Sequence, residues 1–370
     1  MIFLDILFYM FLIVVGIQVI FNLFIFSNFS FLKIKEVNSK QVPVSIIICA
    51  KNEADNLRHF LPSIISQNYS EFEVVLINDA SNDDTLEVME SFSAQNKNIR
   101  IVDVKNVEAF WGNKKYALTL GIKVAKYDYL LFTDADCIPV SENWISQMSA
   151  QFSQQKSIVL GYGAYKKIKN SLLNKLIRYE TLLTAIHYFS FTKIGLPYMG
   201  VGRNLGYNKS EFFNNNGFMS HIKIRSGDDD LFINQIANSK NTAICFSKDS
   251  FTQSIPKQNF KNWLNQKRRH ISTAKHYKLK HKSLLTLIYV SQLLFWLLAS
   301  ILFVFGFKWQ MVLTLFVSKL LIEYIIIGFS AIKLNEKDTI VLIPVLQLFL
   351  VFTQLTIFIS NLFLKPSHWK

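Results

Sequence analysis

Four long apolar runs, at about 2–26, 284–307, 310–332 and 339–364, limit what this chain can become more than any other feature. Roughly 20 apolar residues, rising 1.5 Å each, cross a hydrocarbon layer of about 30 Å, so each run is long enough to span alone. The first has Asp5 as its only charge. It exceeds a signal-peptide core and lacks an Ala-x-Ala cleavage pattern, which predicts a retained span over 1–28. The other three predict spans within 284–364. Between Lys33 and Lys282 there is no such run, so the middle of the chain is expected to fold in water.

Charge is distributed as unevenly as hydropathy. Of the 40 Lys and Arg, set against 26 Asp and Glu, nine fall between Lys257 and Lys282, where there is no acid. That concentration points to a local anionic partner. Lys33 and Lys35 follow the first run and the basic stretch precedes the second, so both flanks predict a cytoplasmic middle region. Lys365 and Lys370 at the far end run against that orientation. Cys49, Cys137 and Cys245 are too few and too scattered for a disulfide framework or a Cys-based zinc site, which excludes a secreted mini-protein and a zinc finger. Lys319 and Glu323, four apart inside the third run, read equally as a functional pair at membrane depth or as a structural one.

The middle region alternates short β-branched runs with helical spacing. Val44–Cys49, Glu73–Ile77, Ile99–Val104 and Tyr129–Phe132 read as strands, with helical patterns after the first two and over Lys114–Ala125. This rhythm predicts an α/β fold with a mostly parallel, doubly wound sheet across 40–256. Ligands of such sheets sit beyond the carboxyl ends of the strands. Asn52 and Glu53, Asp79, and Asp134 with Asp136 all fall at such ends.

Each acidic cluster has its own reading. Asp83 and Asp84 stand where a helix begins, and a cap accounts for at least one of them. Asp79 ends an apolar strand, where a carboxylate serves no helix and can accept hydrogen bonds from a nucleobase or ribose. Asp134 and Asp136, at i and i+2, point the same way on extended chain. Paired anions call for a hard divalent cation, Mg²⁺ or Mn²⁺, which can bridge to a diphosphate. Ser226-Gly227-Asp228-Asp229-Asp230-Leu231 carries more carboxylates than one helix cap needs, and their repulsion should raise the pKa of at least one. A carboxylate tuned that way suits a general base. The Asp-x-Asp-x-Asp-Gly spacing of a calcium loop is absent. Over 257–283, aromatic residues interleave with cations, which fits either a membrane-interface segment meeting lipid headgroups or a solvated linker. Nucleic acid is the weaker partner, since the segment abuts an apolar run and no recognition motif accompanies it.

These residues together resemble a membrane-bound family 2 glycosyltransferase of the GT-A fold, the group that includes polysaccharide synthases and lipid glucosyltransferases. Val44–Ile48 with Asn52-Glu53 resembles the opening strand and nucleotide-facing loop of that family. Asp79-Ala80-Ser81-Asn82-Asp83-Asp84-Thr85 is similar to its D-x-S-x-D-x-T element. Lys114, ahead of Ala117-Leu118, resembles a lysine near the donor, and Asp134-Ala135-Asp136 its D-x-D motif. Asp228 falls where the family has its catalytic Asp in T-E-D-x-D-L. Gln266-Lys267-Arg268-Arg269-His270 resembles Q-x-x-R-W. Gly227 and His270 depart from the family pattern, which weakens the case for processive synthesis. Gly200–Tyr207 fits an acceptor-side loop or two structural turns.

The resemblance implies a nucleotide-sugar donor, a UDP-sugar for preference, bound by Asn52, Glu53, Asp79, Lys114, Asp134, Gln266 and Arg269, with the metal on Asp136 and Asp134. It implies inverting transfer to a lipid, lipid-linked or glycan acceptor, with Asp228 as base, at a cytoplasmic membrane face beside membrane lipids. The sequence leans toward single transfer, with a polysaccharide synthase subunit as the alternative. A sugar-1-phosphate nucleotidylyltransferase would need a glycine-rich loop that Ala50–Glu53 does not offer. A non-catalytic membrane scaffold or transport component is the remaining class.

Overall fold

The computed structural model describes residues 2–34, 41–105, 114–224 and 226–363. The chain divides into two compact units. One comprises 34–167 and 195–256; the other takes 1–33, 168–194 and 257–368.

The first unit is built on two sheets. Its strands are β1 (Val44–Ala50), β2 (Phe72–Asp79), β3 (Ile99–Val104), β4 (Tyr129–Phe132), β5 (Cys137–Pro139), β6 (Ile158–Leu160), β7 (Gly163–Tyr165), β8 (Leu205–Asn208), β9 (Thr242–Ile244) and β10 (Thr252–Ser254). Among the described residues seven strands form the main sheet, in the order β3-β2-β1-β4-β8-β6-β9. Only β8 runs against its neighbours β4 and β6. A small sheet, β5-β10-β7, lies apart. The sheet is the mostly parallel one the alternating pattern predicts.

Position in the sheet explains each strand's composition. β1 sits between β2 and β4, and Val44, Ile46, Ile47 and Ile48 are all essentially sealed from solvent. A strand covered on both faces reads as a continuous apolar run rather than an alternating one. β3 is the edge and keeps Arg100 and Asp103. Truncating a side chain such as Ile46 to Ala would cost about 2–5 kcal/mol. The helix Lys114–Val124 packs on β2 through Gly121, where an added Cβ would stand 2.2 Å from Ile77 Cδ1. That close approach brings the amino end of this helix, and its two lysines, to the carboxyl ends of β1 and β4.

The second unit holds four helices long and apolar enough to cross a membrane, among the described residues: Ile2–Ser30, Leu279–Val304, Trp309–Lys333 and Lys337–Phe363. The first contains a π-helical turn, Phe21–Phe26. Its lone charge is accounted for, because Lys308 Nζ lies 2.8 Å from Asp5 Oδ1. Inside the bundle Lys319 Nζ is 2.6 Å from Glu323 Oε2 and 3.2 Å from Gln292 Oε1, and Gln347 Nε2 donates to Glu323.

Two boundaries differ from the sequence expectation. The stretch 40–256 is interrupted, because the 22-residue helix Leu172–Lys193 belongs with the apolar helices. Its Phe189 ring packs against Phe29 and its His187 stacks on Phe26 at 4.9 Å. Arg178 is ion-paired with Glu336 and, at 2.6 Å, with Asp338. Nor is 257–283 a single segment. It forms the helix Phe260–Thr273, capped by Asn259 accepting from the Asn262 amide, and its last cations ride on the first turns of the helix starting at Leu279. Lysine is a good helix former whose long stem reaches back toward the polar layer, so such a helix can begin before its apolar run does. Lys35, Lys365 and Lys370 lie outside the described residues.

Candidate active site

The loop after β1 and the loop after β2 are laced together. Asn52, in the left-handed region at φ 55°, accepts from the Asn82 amide at 2.8 Å and donates its own amide to Ser81 Oγ at 3.0 Å. The Glu53 amide donates to Thr85 Oγ1, and its carboxylate accepts from Asn56. Asp83 accepts from the Thr85 hydroxyl and from the Ala54 and Thr85 amides, and these bonds outweigh its slight burial and hold its carboxyl below the usual range. Capping is therefore the work of Asp83, while Asp84 pairs with Arg58 at 3.3 Å on the surface. Asn52 and Glu53 so shape the rim through their loop contacts.

Beneath that rim lies Asp79, 3% exposed at the end of β2. Burial raises its pKa, with Lys51 and Lys114 pulling the other way. Lys114 is the centre of the arrangement. Its ammonium stands 3.0 Å from Asp134 Oδ1 and 3.2 Å from Asp228 Oδ2. Burial opposes its charge, yet Asp134 and Asp228 together hold its pKa well above the ordinary lysine value. Cys49, Lys114, Asp134, Gly202, Asp228 and Asp229 all line one small pocket at the strand ends.

Asp136 adjoins that pocket. The ligand atoms of Asp134, Asp136 and Cys137 lie within 4.8 Å of one another. Burial, followed by Asp136 and Asp134, pushes the Cys137 thiol far up, so without an ion it stays protonated. Two half-buried carboxylates remain, and hard oxygen donors suit Mg²⁺ or Mn²⁺. The residues present fit such an ion.

The three consecutive carboxylates divide the labour. Asp229 caps the helix Asp230–Ile236, accepting from the Asp230 amide at 2.7 Å and from the Gly202 amide at 2.7 Å. Burial, then Asp228 and Asp230, push its pKa up to about 7. Asp228 goes the other way: burial is outweighed by Lys114, which holds it below the usual range. The carboxyl tuned upward, by burial first and repulsion second, is thus Asp229, and Asp228 is kept ionised. Gly227, at φ +88°, precedes it, and a Cβ there would meet Leu231 Cδ1 at 2.5 Å. That clash accounts for glycine standing where an acidic residue is expected.

Gln266 and Arg269 lie on the helix Phe260–Thr273, in the helical unit. The structure brings together Asp79, Lys114, Asp134, Asp136 and Asp228, and does not assign Gln266 or Arg269 to the cleft.

Arg203, within the Gly200–Tyr207 stretch, lies close enough to Asp134 and Asp136 to act on them electrostatically. Its guanidinium lies 4.2 Å over the Tyr165 ring and donates to Ala164 O and Ser254 Oγ at 3.0 and 2.8 Å. Burial opposes its charge, and the carboxylates of Asp136 and Asp134 are among the groups that hold its pKa up. Its neighbour Asn204 is buried and bonds Trp144, Tyr162 and Ser250. The hydrogen bonds of Arg203 and Asn204 thus tie the Gly200–Tyr207 loop to its neighbours.

Residues 45–218 match the sequence family described as Glycosyl transferase family 2. A poly-beta-1,6-N-acetyl-D-glucosamine synthase of Staphylococcus epidermidis is 28% identical over 158 residues, 42% of this chain and 37% of that protein. The 4,4'-diaponeurosporenoate glycosyltransferase of Staphylococcus aureus is 31% identical over 132 residues, 35% of this chain and 34% of that one. The chain thus spans little more than a third of these relatives' length. A mannosyltransferase from Pyrobaculum calidifontis, solved with GDP-Man and Mn²⁺, superposes with a TM-score of 0.60 at 15% identity, covering 90% of this chain and 99% of that one. At that identity the likeness establishes the GT-A fold.

Proposed function

The chain carries a glycosyl transferase family 2 domain, and from that premise we propose that it moves a sugar from a nucleotide-sugar, a UDP-sugar, to a hydroxyl of a lipid or lipid-linked acceptor at the cytoplasmic membrane face. The observation carrying this is Lys114 held between Asp134 and Asp228 at the strand ends, with Asp136 and Asp79 beside them. Asp79 accepts from the nucleobase or ribose. Asp136 and Asp134 would hold Mg²⁺ or Mn²⁺, which supplies a Lewis acid to the diphosphate when bound. Lys114 neutralises the facing carboxylates and keeps Asp228 ionised.

Asp228 takes the proton of the acceptor hydroxyl as its oxygen bonds to the anomeric carbon. The bond from that carbon to the diphosphate oxygen breaks, and the nucleoside diphosphate leaves from the opposite face. Attack from that side inverts the anomeric centre. Losing one electrostatic partner of the leaving group should cost on the order of 3 kcal/mol, about a hundredfold in rate.

Calorimetry of UDP with Mn²⁺ on wild type and Asp136→Ala tests the site. Metal-dependent binding that the substitution weakens supports it, and equal binding counts against it. GDP in place of UDP tests the base preference, since the fold neighbour was solved with GDP-Man. The match to a polysaccharide synthase favours a second reading, in which sugars are added repeatedly. Mass spectrometry of lipid extracts from cells with and without the gene separates the two: a lipid heavier by one sugar supports single transfer, and a ladder supports a polymer.

A further inference from the structure

Lys115 is adjacent to the cleft lysine and does something else. Its side chain is 0% exposed. Its ammonium donates to three backbone carbonyls, His221 O at 2.9 Å, Ile224 O at 2.8 Å and Ser226 O at 2.9 Å. An ammonium has three protons in a tetrahedral fan, so three carbonyls around it make a closed cage. Those carbonyls come from the segment that leads, through Gly227, into Asp228. Burial draws the Lys115 pKa down to about 8, and Asp228, Asp230 and Asp229 draw it back up.

The two lysines share the first turn of one helix, which Gly121 seats tightly on β2. Lys114 holds the Asp228 carboxylate and Lys115 holds the main chain that carries it. We infer that Lys115 is a positioning residue: it pins the His221, Ile224 and Ser226 carbonyls to the helix Lys114–Val124 and so fixes where the Asp228 carboxylate stands relative to Lys114 and Asp134. This rests on Asp228 being the base. A buried lysine that only stabilises the fold would add to melting temperature and leave turnover of the folded fraction alone. A positioning lysine sets kcat without setting donor affinity.

The test uses the full chain in detergent as wild type, Lys115→Met, Lys115→Gln and Asp228→Asn. Hydrogen exchange is followed over 219–231. Turnover is followed as UDP released from UDP-N-acetylglucosamine and UDP-glucose, with membrane lipid extract as acceptor. Lys115→Met is expected to speed exchange over 219–231 at least tenfold with β1 and β2 unchanged. Its kcat should fall ten- to a hundredfold, with KM for the donor within threefold of wild type. Where Met does not fold, Gln keeps two N–H donors on a shorter arm and carries the same readouts at smaller amplitude. Wild-type exchange over 219–231 in the folded variant overturns the inference, as does faster exchange with unchanged kcat. Wild-type turnover in Asp228→Asn instead removes the base assignment, and the exchange result then stands or falls separately.

Discussion

Both units of this chain bury a lysine against carboxylates, and they do so in opposite ways. Lys319 and Glu323 are 0% and 8% exposed, one cation to one anion, with Gln292 and Gln347 taking up further hydrogen-bonding capacity. Lys114, 20% exposed, faces Asp134 and Asp228 together, with Asp136, Asp79 and Asp229 close by. The first set is balanced and closed. In the second, one ammonium is shared between two carboxylates, with further carboxylates crowded at the same strand ends. A matched pair in an apolar bundle reads as structure, whereas carboxylates gathered at the end of a parallel sheet read as a place for something to bind.

Replacing charges one at a time tests that contrast. Asp228→Asn should lower kcat by about 10²–10⁴, the range for losing a general base, and leave the melting curve nearly in place. Lys319→Met should do the reverse: removing one member of a buried pair costs about 3–5 kcal/mol, read as a lowered melting temperature in detergent. Replacing both partners, Lys319→Met with Glu323→Leu, should recover most of that loss. If Lys319→Met instead abolished turnover at full stability, the closed pair would be functional and the distinction would fail.

Smaller effects sharpen the picture. Gly227→Ala should cost about 1–3 kcal/mol of overpacking and strain, because φ +88° disfavours a side chain and Leu231 occupies its space. The smallest effect is a pH slope. The Asp229 pKa, raised to about 7, means the folded protein holds a proton that the unfolded chain releases near pH 4. Its contribution to stability is therefore full below pH 4 and lost as pH rises toward 7. Melting temperatures measured across that window should fall with rising pH in wild type and flatten in Asp229→Asn.

Much of this was legible in the residues. Four strands of the main sheet, β1 to β4, were legible as short apolar or β-branched runs; Asp79 and Asp134 stood out as charges where two of them end, and Asp228 as one of three carboxylates in a row. What escaped notice depended on partners far along the chain. Lys115 looks like a second solvated lysine until three carbonyls more than 100 residues later enclose it. Leu172–Lys193 carries Asn174, Arg178 and Glu180, too polar to read as a companion of apolar helices. Only Glu336 and Asp338 explain the buried guanidinium. The division between Asp228 and Asp229 was equally invisible, since it turns on which carboxylate Lys114 reaches.

That inserted helix has a practical consequence. The polypeptide passes between the two units at 33–34, 167–168, 194–195 and 256–257. Trimming both termini to obtain a water-soluble enzyme would strand Leu182, Ile186 and Phe189, buried in the intact chain, without their neighbours. Such a fragment is expected to aggregate, while one in which 168–194 is also replaced by a short hydrophilic bridge has a better chance of staying dispersed.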